Sequence, residues 1–372
     1  MSTSPRRRRW VLPLAAVAAV LAAGVVGGVI TSEAGIGDSS SPPRAPTPAS
    51  ASSSNNPLVC NVATVANRAL QSVVTISAQG SASGGGSTGS GEVIRTNGYV
   101  LTNNHVISVA AQGGQVQVIF TDGKAFPASI VGRDPLTDLA VLKINASQNF
   151  TPIDIGSSAS VFVGEPVVAV GSPLGLTGTV TSGIVSALDR TVEVPGENNT
   201  SALLVSAVQT DAAINPGNSG GALLNCNDRL IGIPSAGAQV PSSSGESSGG
   251  NIGLGFAIPV DLATSIADEI ISTGHVTHAW FGMETVPIPP AAASQAGVPE
   301  GLRVNAVASG GPAARAGLRT GDVITRIAGD AAVSNRQLDV ISLTRRPGDR
   351  VDLTYARSGR STTVTLTLGS LP

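Results

Sequence analysis

Between residues 73 and 258 the chain is a succession of short runs rich in Val, Ile, Leu and Thr. They are Val73–Ile76, Tyr99–Thr102, Val116–Phe120, Leu139–Ile144, Val167–Val170, Val180–Val185, Leu203–Val205, Ala222–Leu224, Leu230–Ile233 and Gly255–Ile258. Gly, Pro, Asn or Asp separates most of them. Runs this short, bounded by turn residues, read as strands, and many of them in series argue for an all-β barrel or sandwich. Roughly two hundred residues of this pattern is much for one barrel, so two are expected. With 3% aromatic and 12% charged residues, and 45 glycines, small aliphatic side chains must do most of the packing. Two Gly/Ser-rich stretches, Gly80–Gly91 and Ser242–Gly250, interrupt the pattern and read as mobile loops.

The flanks read differently. Arg6 to Arg9 precede an uncharged run from Trp10 to Ile30. About twenty helical residues span roughly 30 Å, the hydrocarbon thickness of a bilayer. Residues 1–9 are therefore expected to be a cytoplasmic basic terminus and 10–30 a transmembrane helix, with the remainder outside the cytosol. A cleaved signal peptide competes, but the early Ala16-Val17-Ala18 leaves it a very short apolar core; the arginines also loosely resemble a twin-arginine export signal. Residues 31–57 read as a disordered stalk: thirteen of the twenty-six residues 32–57 are Ser or Pro, with no apolar period. Val62–Ser72 is expected to be a short helix. Pro259–Thr273 is another, opened by Pro259, closed by Gly274 and packed on the second barrel. From about Trp280 to Gly369, strands at Leu302–Ala306, Val323–Ile327, Val351–Tyr355 and Thr363–Leu368 mix with helical patches at Ala313–Ala316 and Asn335–Thr344, an α+β module.

Candidate chemistry centres on Asn215-Pro-Gly-Asn-Ser219-Gly-Gly221. A serine hydroxyl is a weak nucleophile unless a base lies within hydrogen-bond reach and an acid orients that base. The chain has three histidines. His275 and His278 fall in a linker, and a His-x-x-His pair without further ligands is not a metal site. No metal and no cofactor are expected. His105 follows the strand Tyr99–Thr102. The acid is assigned to Asp138, which abuts the apolar run Leu139–Leu142; Asp134 precedes Pro135 and reads as a turn residue. Gly217 lets its own amide and that of Ser219 converge on one point, an oxyanion site. An α/β-hydrolase esterase would need the order Ser, acid, His, which is absent. The formal net charge of −2 carries no polyanion signal, so nucleic acid is not an expected partner. The two cysteines, Cys60 and Cys226, are a possible disulfide outside the cytosol or two free thiols within it.

Three segments, Thr102-Asn-Asn-His-Val106, Asp138-Leu-Ala-Val-Leu-Lys-Ile144 and Thr210–Asn225, resemble the active-site segments of the HtrA (high-temperature-requirement, or Deg) serine proteases. Val180–Arg190 and Gly255–Pro259 agree with them, and the last ninety or so residues resemble a PDZ domain. The resemblance spans about residues 60 to 370. It implies a mostly β chain: a chymotrypsin-like pair of six-stranded barrels, then an α+β PDZ domain, behind the N-terminal transmembrane helix. The protease domain would cover 58–275, with barrel one about 70–150 and barrel two about 151–258, and the PDZ domain 280–370. His105, Asp138 and Ser219 would form the triad. Asp211 would be structural, and Ala213 occupies the position where a trypsin-like member carries an acid. Ala213, Ile214, Ser235, Ala236 and Gly237 would line a small apolar pocket that accepts residues such as Val or Ala. The wall strand departs from the family, in which Gly-Ile-Asn is followed by Thr; here it reads Gly232-Ile233-Pro234-Ser235.

In the PDZ domain, Trp280, Phe281, Gly282 and Met283 would form the loop that takes a peptide's C-terminal carboxylate. On this map Cys60 and Cys226 would tie the N-terminal segment to the second barrel. The implied protein is a bacterial, single-pass membrane endopeptidase acting on unfolded or specific extracytoplasmic proteins in quality control. It would be a homo-oligomer, trimeric by resemblance, whose oxyanion site need not be preformed. A non-proteolytic chaperone or PDZ scaffold is the competing reading.

Overall fold

The computed structural model describes residues 60–81, 85–172, 178–197, 200–237, 240–241, 247–248 and 251–372. The expected basic terminus, anchor and stalk lie outside these residues, as does most of Ser242–Gly250. Among the described residues no helix is long and apolar enough to cross a membrane.

Two closed six-stranded antiparallel barrels carry the site. The first is built from β1 (Val73–Gln79), β2 (Gly86–Arg95), β3 (Tyr99–Thr102), β4 (Gln115–Ile119), β5 (Ala125–Asp134) and β6 (Leu139–Ile144), closed in the order β1-β2-β3-β6-β5-β4. The second uses β7 (Pro166–Gly171), β8 (Thr179–Pro195), β9 (Ser201–Thr210), β10 (Ala222–Asn225), β11 (Leu230–Gly237) and the strand Gly255–Pro259, which sits between β11 and β9.

The strand period of two explains why several of these strands are apolar throughout. On β6, Ala140, Leu142 and Ile144 fill the first barrel, while Leu139 and Val141 face the other way. On β7, Val167 and Ala169 fill the second barrel, while Val168 and Val170 face the first. The outward sets meet in a shared seam core with Leu101, Leu224 and Ile233. Both faces are buried, so a continuous apolar run replaces the alternation of a solvated sheet.

Three sequence expectations change here. Gly80–Gly91 does not read through as a loop: from Gly86 on it is β2, and Gly89 and Gly91 are required by close approach. A Cβ on Gly89 would stand 2.6 Å from Val106 Cγ2, and one on Gly91 would stand 2.7 Å from Ile76 Cδ1. The helix expected on the second barrel, α3 (Val260–Thr273), packs across β5 and β6 of the first barrel as well as β11 of the second, through Ala263, Ile266, Ala267 and Ile270. Gly274 closes it in the left-handed region, at φ 84°, with its N–H on the Ile270 carbonyl. The N-terminal helix α1 (Val62–Ala69) is shorter than the sequence suggests. Asn61 caps it by accepting from the Thr64 amide, and a disulfide joins Cys60 to Cys226.

The C-terminal module is a sheet of order Met283–Ile288, Gly301–Val307, Val323–Ile327, Arg350–Arg357, Arg360–Thr367, with helices Pro290–Ala296, Pro312–Arg315 and Arg336–Thr344. Its own core includes Phe281, Leu302, Ile324, Leu353 and Leu366. Met283–Ile288, an edge strand, is not marked in the sequence because only Met283, Thr285 and Ile288 are partly covered and Val286 and Pro287 are exposed.

Candidate active site

The β3 strand ends at Thr102 and the chain turns at once into a one-turn helix, α2 (Asn104–Ile107). Val106 and Ile107 anchor that helix in the first barrel, which leaves the His105 ring partly exposed at the rim. Asp138 directly precedes β6 and holds φ at 59°, a left-handed conformation that Asp tolerates better than most residues. That turn aims its carboxylate at His105. Nδ1 of the ring lies 2.8 Å from Oδ2 and 3.0 Å from Oδ1 of Asp138. The His105 amide donates to the same Oδ1 at 3.0 Å. The acid side chain is 3% exposed and the imidazole 38%, so the acid is sealed while the ring remains accessible. With Nδ1–H on the carboxylate, Nε2 is left as the base. Asn103 and Asn104 hold the Asp138 carbonyl through a side-chain and a backbone N–H.

Ser235 supplies a further donor: its hydroxyl donates to Asp138 Oδ2 at 2.6 Å. Ser235 is expected in the wall of a specificity pocket; its side chain also supports the acid, because β11 runs alongside the Asp138 turn. No local signal marks this, since the two residues are 97 positions apart. Pro234 fits its strand because the β11 register shifts there, between Pro234 and Ala236, and a bulge tolerates the missing N–H. Its carbonyl accepts the Gly220 amide at 2.8 Å.

Ser219 lies between Gly217, at φ 100°, and Gly220, at φ 77°. A Cβ on Gly220 would come within 2.4 Å of the Ser90 carbonyl, so only glycine fits. The Asn218 amide donates to the Asn215 carbonyl and the Gly221 amide to the Asn218 carbonyl, both at 3.0 Å. A trans peptide points its C=O and N–H in opposite directions. Pulling the Asn218 carbonyl inward therefore turns the Ser219 amide outward. Among the described residues the amides of Gly217 and Ser219 donate to nothing. The Ser219 hydroxyl donates to the Ser235 carbonyl at 3.1 Å, and no hydrogen bond joins it to His105.

The remaining expected positions fall around this centre. Ile214 is buried against Gly255, and the Ala213 carbonyl accepts from Thr181 and Asn218 side chains. Ala236 and Gly237 pair with Phe256 and Gly255. Asp211 caps a backbone amide, that of Ile184, at 2.7 Å. Asp134 is more than a turn residue. It is 3% exposed, accepts from the Leu136 amide and the Thr137 hydroxyl, and pairs with Nε2 of His278 at 2.9 Å. His275 is exposed beside Thr273, and among the described residues no cluster of His, Cys, Asp and Glu is placed to hold a metal.

In the C-terminal module, Ala279–Trp280 pairs with Gly369–Ser370. The carbonyls of Phe281 and Gly282 accept from Ala313 and Ala308 amides. Beyond them, a cavity of about 560 Å³ opens between the Met283–Ile288 strand and the Arg336–Thr344 helix, lined by Phe281, Met283, Thr285, Leu338 and Leu343 and, on the barrel side, Leu203.

Residues 89–233 match the family model of a trypsin-like peptidase domain, and residues 279–368 match that of a PDZ domain. The chain is 44% identical over 288 residues to the serine protease PepD of Mycobacterium tuberculosis, covering 76% of this chain and 60% of that protein. It is 40% identical over 286 residues to a probable periplasmic serine endoprotease, DegP-like, of Rhizobium meliloti, covering 76% of this chain and 53% of that protein. The chain thus spans between half and two thirds of the length of these curated relatives. Among solved structures, the HtrA-type protease AlgW with decapeptide is 34% identical with a TM-score of 0.67, over 84% of this chain and 99% of that one.

Proposed function

The chain belongs to the HtrA-type family of serine proteases, and from that premise we propose that it is an endopeptidase working through His105, Asp138 and Ser219. The observation that carries this reading is the buried Asp138 carboxylate on His105 Nδ1, across the barrel seam from a serine whose neighbouring amides are uncommitted. Substrate binding would draw the Ser219 hydroxyl from the Ser235 carbonyl to His105 Nε2. The Ser219 oxygen then attacks the scissile carbonyl carbon while Nε2 takes its proton. The amides of Gly217 and Ser219 hold the resulting oxyanion. Collapse breaks the C–N bond, and the imidazolium returns its proton to the leaving amine. Water, deprotonated by the same nitrogen, releases the acyl group and restores the serine.

Ala213 and Ile214 put no charge near the substrate side chain, which favours small apolar residues before the scissile bond. The edge strand Met283–Ile288 and the helix facing it would take an extended peptide C terminus by strand addition, with the amides of Phe281, Gly282 and Met283 on its carboxylate. That captures substrate or an activating peptide. Trp10–Ile30 would anchor the chain in a membrane with its catalytic part on the extracytoplasmic side. The exposed Phe162, Val163 and Ile184 on barrel two offer an apolar surface for assembly with further copies.

Casein or peptide cleavage by the full chain, compared with Ser219→Ala, tests the central reading. Cleavage should vanish in the variant; equal activity in both would reject the triad, and no cleavage by either would favour a chaperone or scaffold.

A further inference from the structure

Ser90 is fully buried on β2, at the seam, and makes no hydrogen bond to a triad side chain. Yet its polar groups are spent on the nucleophile turn. Its N–H donates to the Ser219 carbonyl at 2.9 Å, and its hydroxyl donates to the Gly217 carbonyl at 2.6 Å. The hydroxyl oxygen also accepts the Ser172 amide at 2.7 Å, and the Ser90 carbonyl accepts from the Thr102 hydroxyl at 2.7 Å. One residue of the first barrel thus grips two carbonyls, those of Gly217 and Ser219, in the nucleophile turn of the second.

We infer that the Ser90 hydroxyl is a positioning residue for the oxyanion site, holding the Gly217 peptide in the orientation that presents its amide to substrate. The inference rests on the reading of Ser219 as the nucleophile. Peptide units around Ser219 differ in how they are held. The unit between Ser219 and Gly220 is fixed at both ends, by the Ser90 amide and the Pro234 carbonyl. The unit between Asn218 and Ser219 is held by Gly221. The unit between Pro216 and Gly217, which carries the Gly217 amide, has no hydrogen bond at either end among the described residues. Its orientation is set through Gly217 itself. Glycine offers little torsional resistance, since both signs of φ are open to it. What restrains Gly217 is the next unit along, which Asn215 holds from within the turn and the Ser90 hydroxyl holds from outside it. Without that hydroxyl the part-buried Gly217 carbonyl loses its partner, and rotation toward the open side of the turn lets it find water. That rotation takes the Gly217 amide off the oxyanion.

The test uses the full 372-residue chain and a quenched-fluorescent peptide that the parent enzyme cuts. Removing a whole oxyanion donor typically lowers kcat by roughly 10²–10³-fold, so Ser90→Ala, which only loosens one, should lower kcat by about 10–100-fold with KM within about threefold. Affinity for a peptide boronic acid, whose adduct places an oxygen in the oxyanion position, should weaken in parallel with kcat/KM. Thr75→Ala is the control. Its hydroxyl contacts that of Ser172 but not Gly217, and its kcat should stay within about threefold of the parent. A parental kcat in Ser90→Ala, or a loss confined to KM, overturns the inference. Should Ser90→Ala not fold, Ser90→Cys, with a weaker donor in the same place, carries the same comparison. Ser219→Ala separates the two claims. If it still cleaves, the nucleophile reading fails. If it is inactive while Ser90→Ala keeps its kcat, only the role of Ser90 is lost.

Discussion

Glu92 should be a liability that the fold tolerates, and replacing it should stabilise the protein in a pH-dependent way. Its side chain is fully buried on β2, and among the described residues neither carboxylate oxygen has a hydrogen-bond partner. It pairs with Val73 on β1 and Leu101 on β3, both in the seam core. Burial alone pushes its carboxyl well above the ordinary value, and no neighbouring charge offsets this. The cost has two parts. A neutral buried carboxyl without partners costs about 1–3 kcal/mol at any pH. The second part comes from ionisation. Below the ordinary carboxylate range both folded and unfolded forms are protonated, and this group adds no pH dependence. As pH rises above that range the unfolded chain loses the proton and the folded one keeps it. Stability then falls by about 1.4 kcal/mol per pH unit until the folded group ionises. Glu92→Gln removes only the second part; Glu92→Met removes both. In thermal melts of the full chain, with Ser219→Ala in every sample to prevent self-cleavage, Glu92→Met should be about 1–3 kcal/mol more stable than its parent at pH 4.5. That is a rise of roughly 2–4 °C in Tm per kcal/mol for domains of this size. The gap for both variants should widen toward pH 8. Parallel parent and Glu92→Gln curves across that range, or a Glu92→Met less stable than the parent throughout, would refute the reasoning.

Two further outcomes follow from single contacts. Ser235→Ala removes a short bond to the buried Asp138 carboxylate, of a kind worth about 1.5–3 kcal/mol. kcat/KM on the peptide substrate should therefore fall by roughly tenfold or more, and a change under twofold would mean that His105 alone holds the acid. The Cys60–Cys226 disulfide closes a separation of 166 residues, so Cys60→Ser with Cys226→Ser should cost about 2–5 kcal/mol. Melts with and without reductant should show the same loss in the parent and none in the double variant.

Legibility in the sequence followed how local each signal was. Leu139–Ile144 and Tyr99–Thr102 are readable to the residue because strands buried on both faces carry continuous apolar runs, here Leu139–Leu142 and Tyr99–Leu101. The β2 strand was not. Gly86, Gly89 and Gly91 make it look like a loop, while the side chains that claim the missing Cβ positions, Val106 and Ile76, lie elsewhere in the chain. The β5 strand was missed for the opposite reason, since its Ala125–Val131 half alternates between exposed and partly covered residues around a proline. At the proposed site, His105, Asp138 and Ser219 stand out in the sequence because each lies next to a recognisable strand or turn. Ser235, Asp134 and Ser90 could not be given their parts, since each acts on a partner brought near only by barrel closure or by the meeting of the domains.

These long-range partners place hydrogen bonds that orient the proposed site across the seam rather than within either barrel. His105 and Asp138 belong to the first barrel and Ser219 to the second. The hydrogen bonds that orient them run both ways across the boundary. Ser235 of the second barrel supports the acid of the first. Ser90 of the first supports the turn of the second. A small slide of one barrel against the other would therefore loosen the acid and the oxyanion site together. Resistance to such a slide comes from apolar packing of Leu101, Val141, Val170 and Ile233, and from α3 laid across both barrels. Glu92 lies in the same seam, two residues from Ser90, and is the group there whose ionisation would oppose that packing. If the seam controls the site, Glu92→Gln should change the pH dependence of kcat as well as of stability, although Glu92 lies outside the proposed triad.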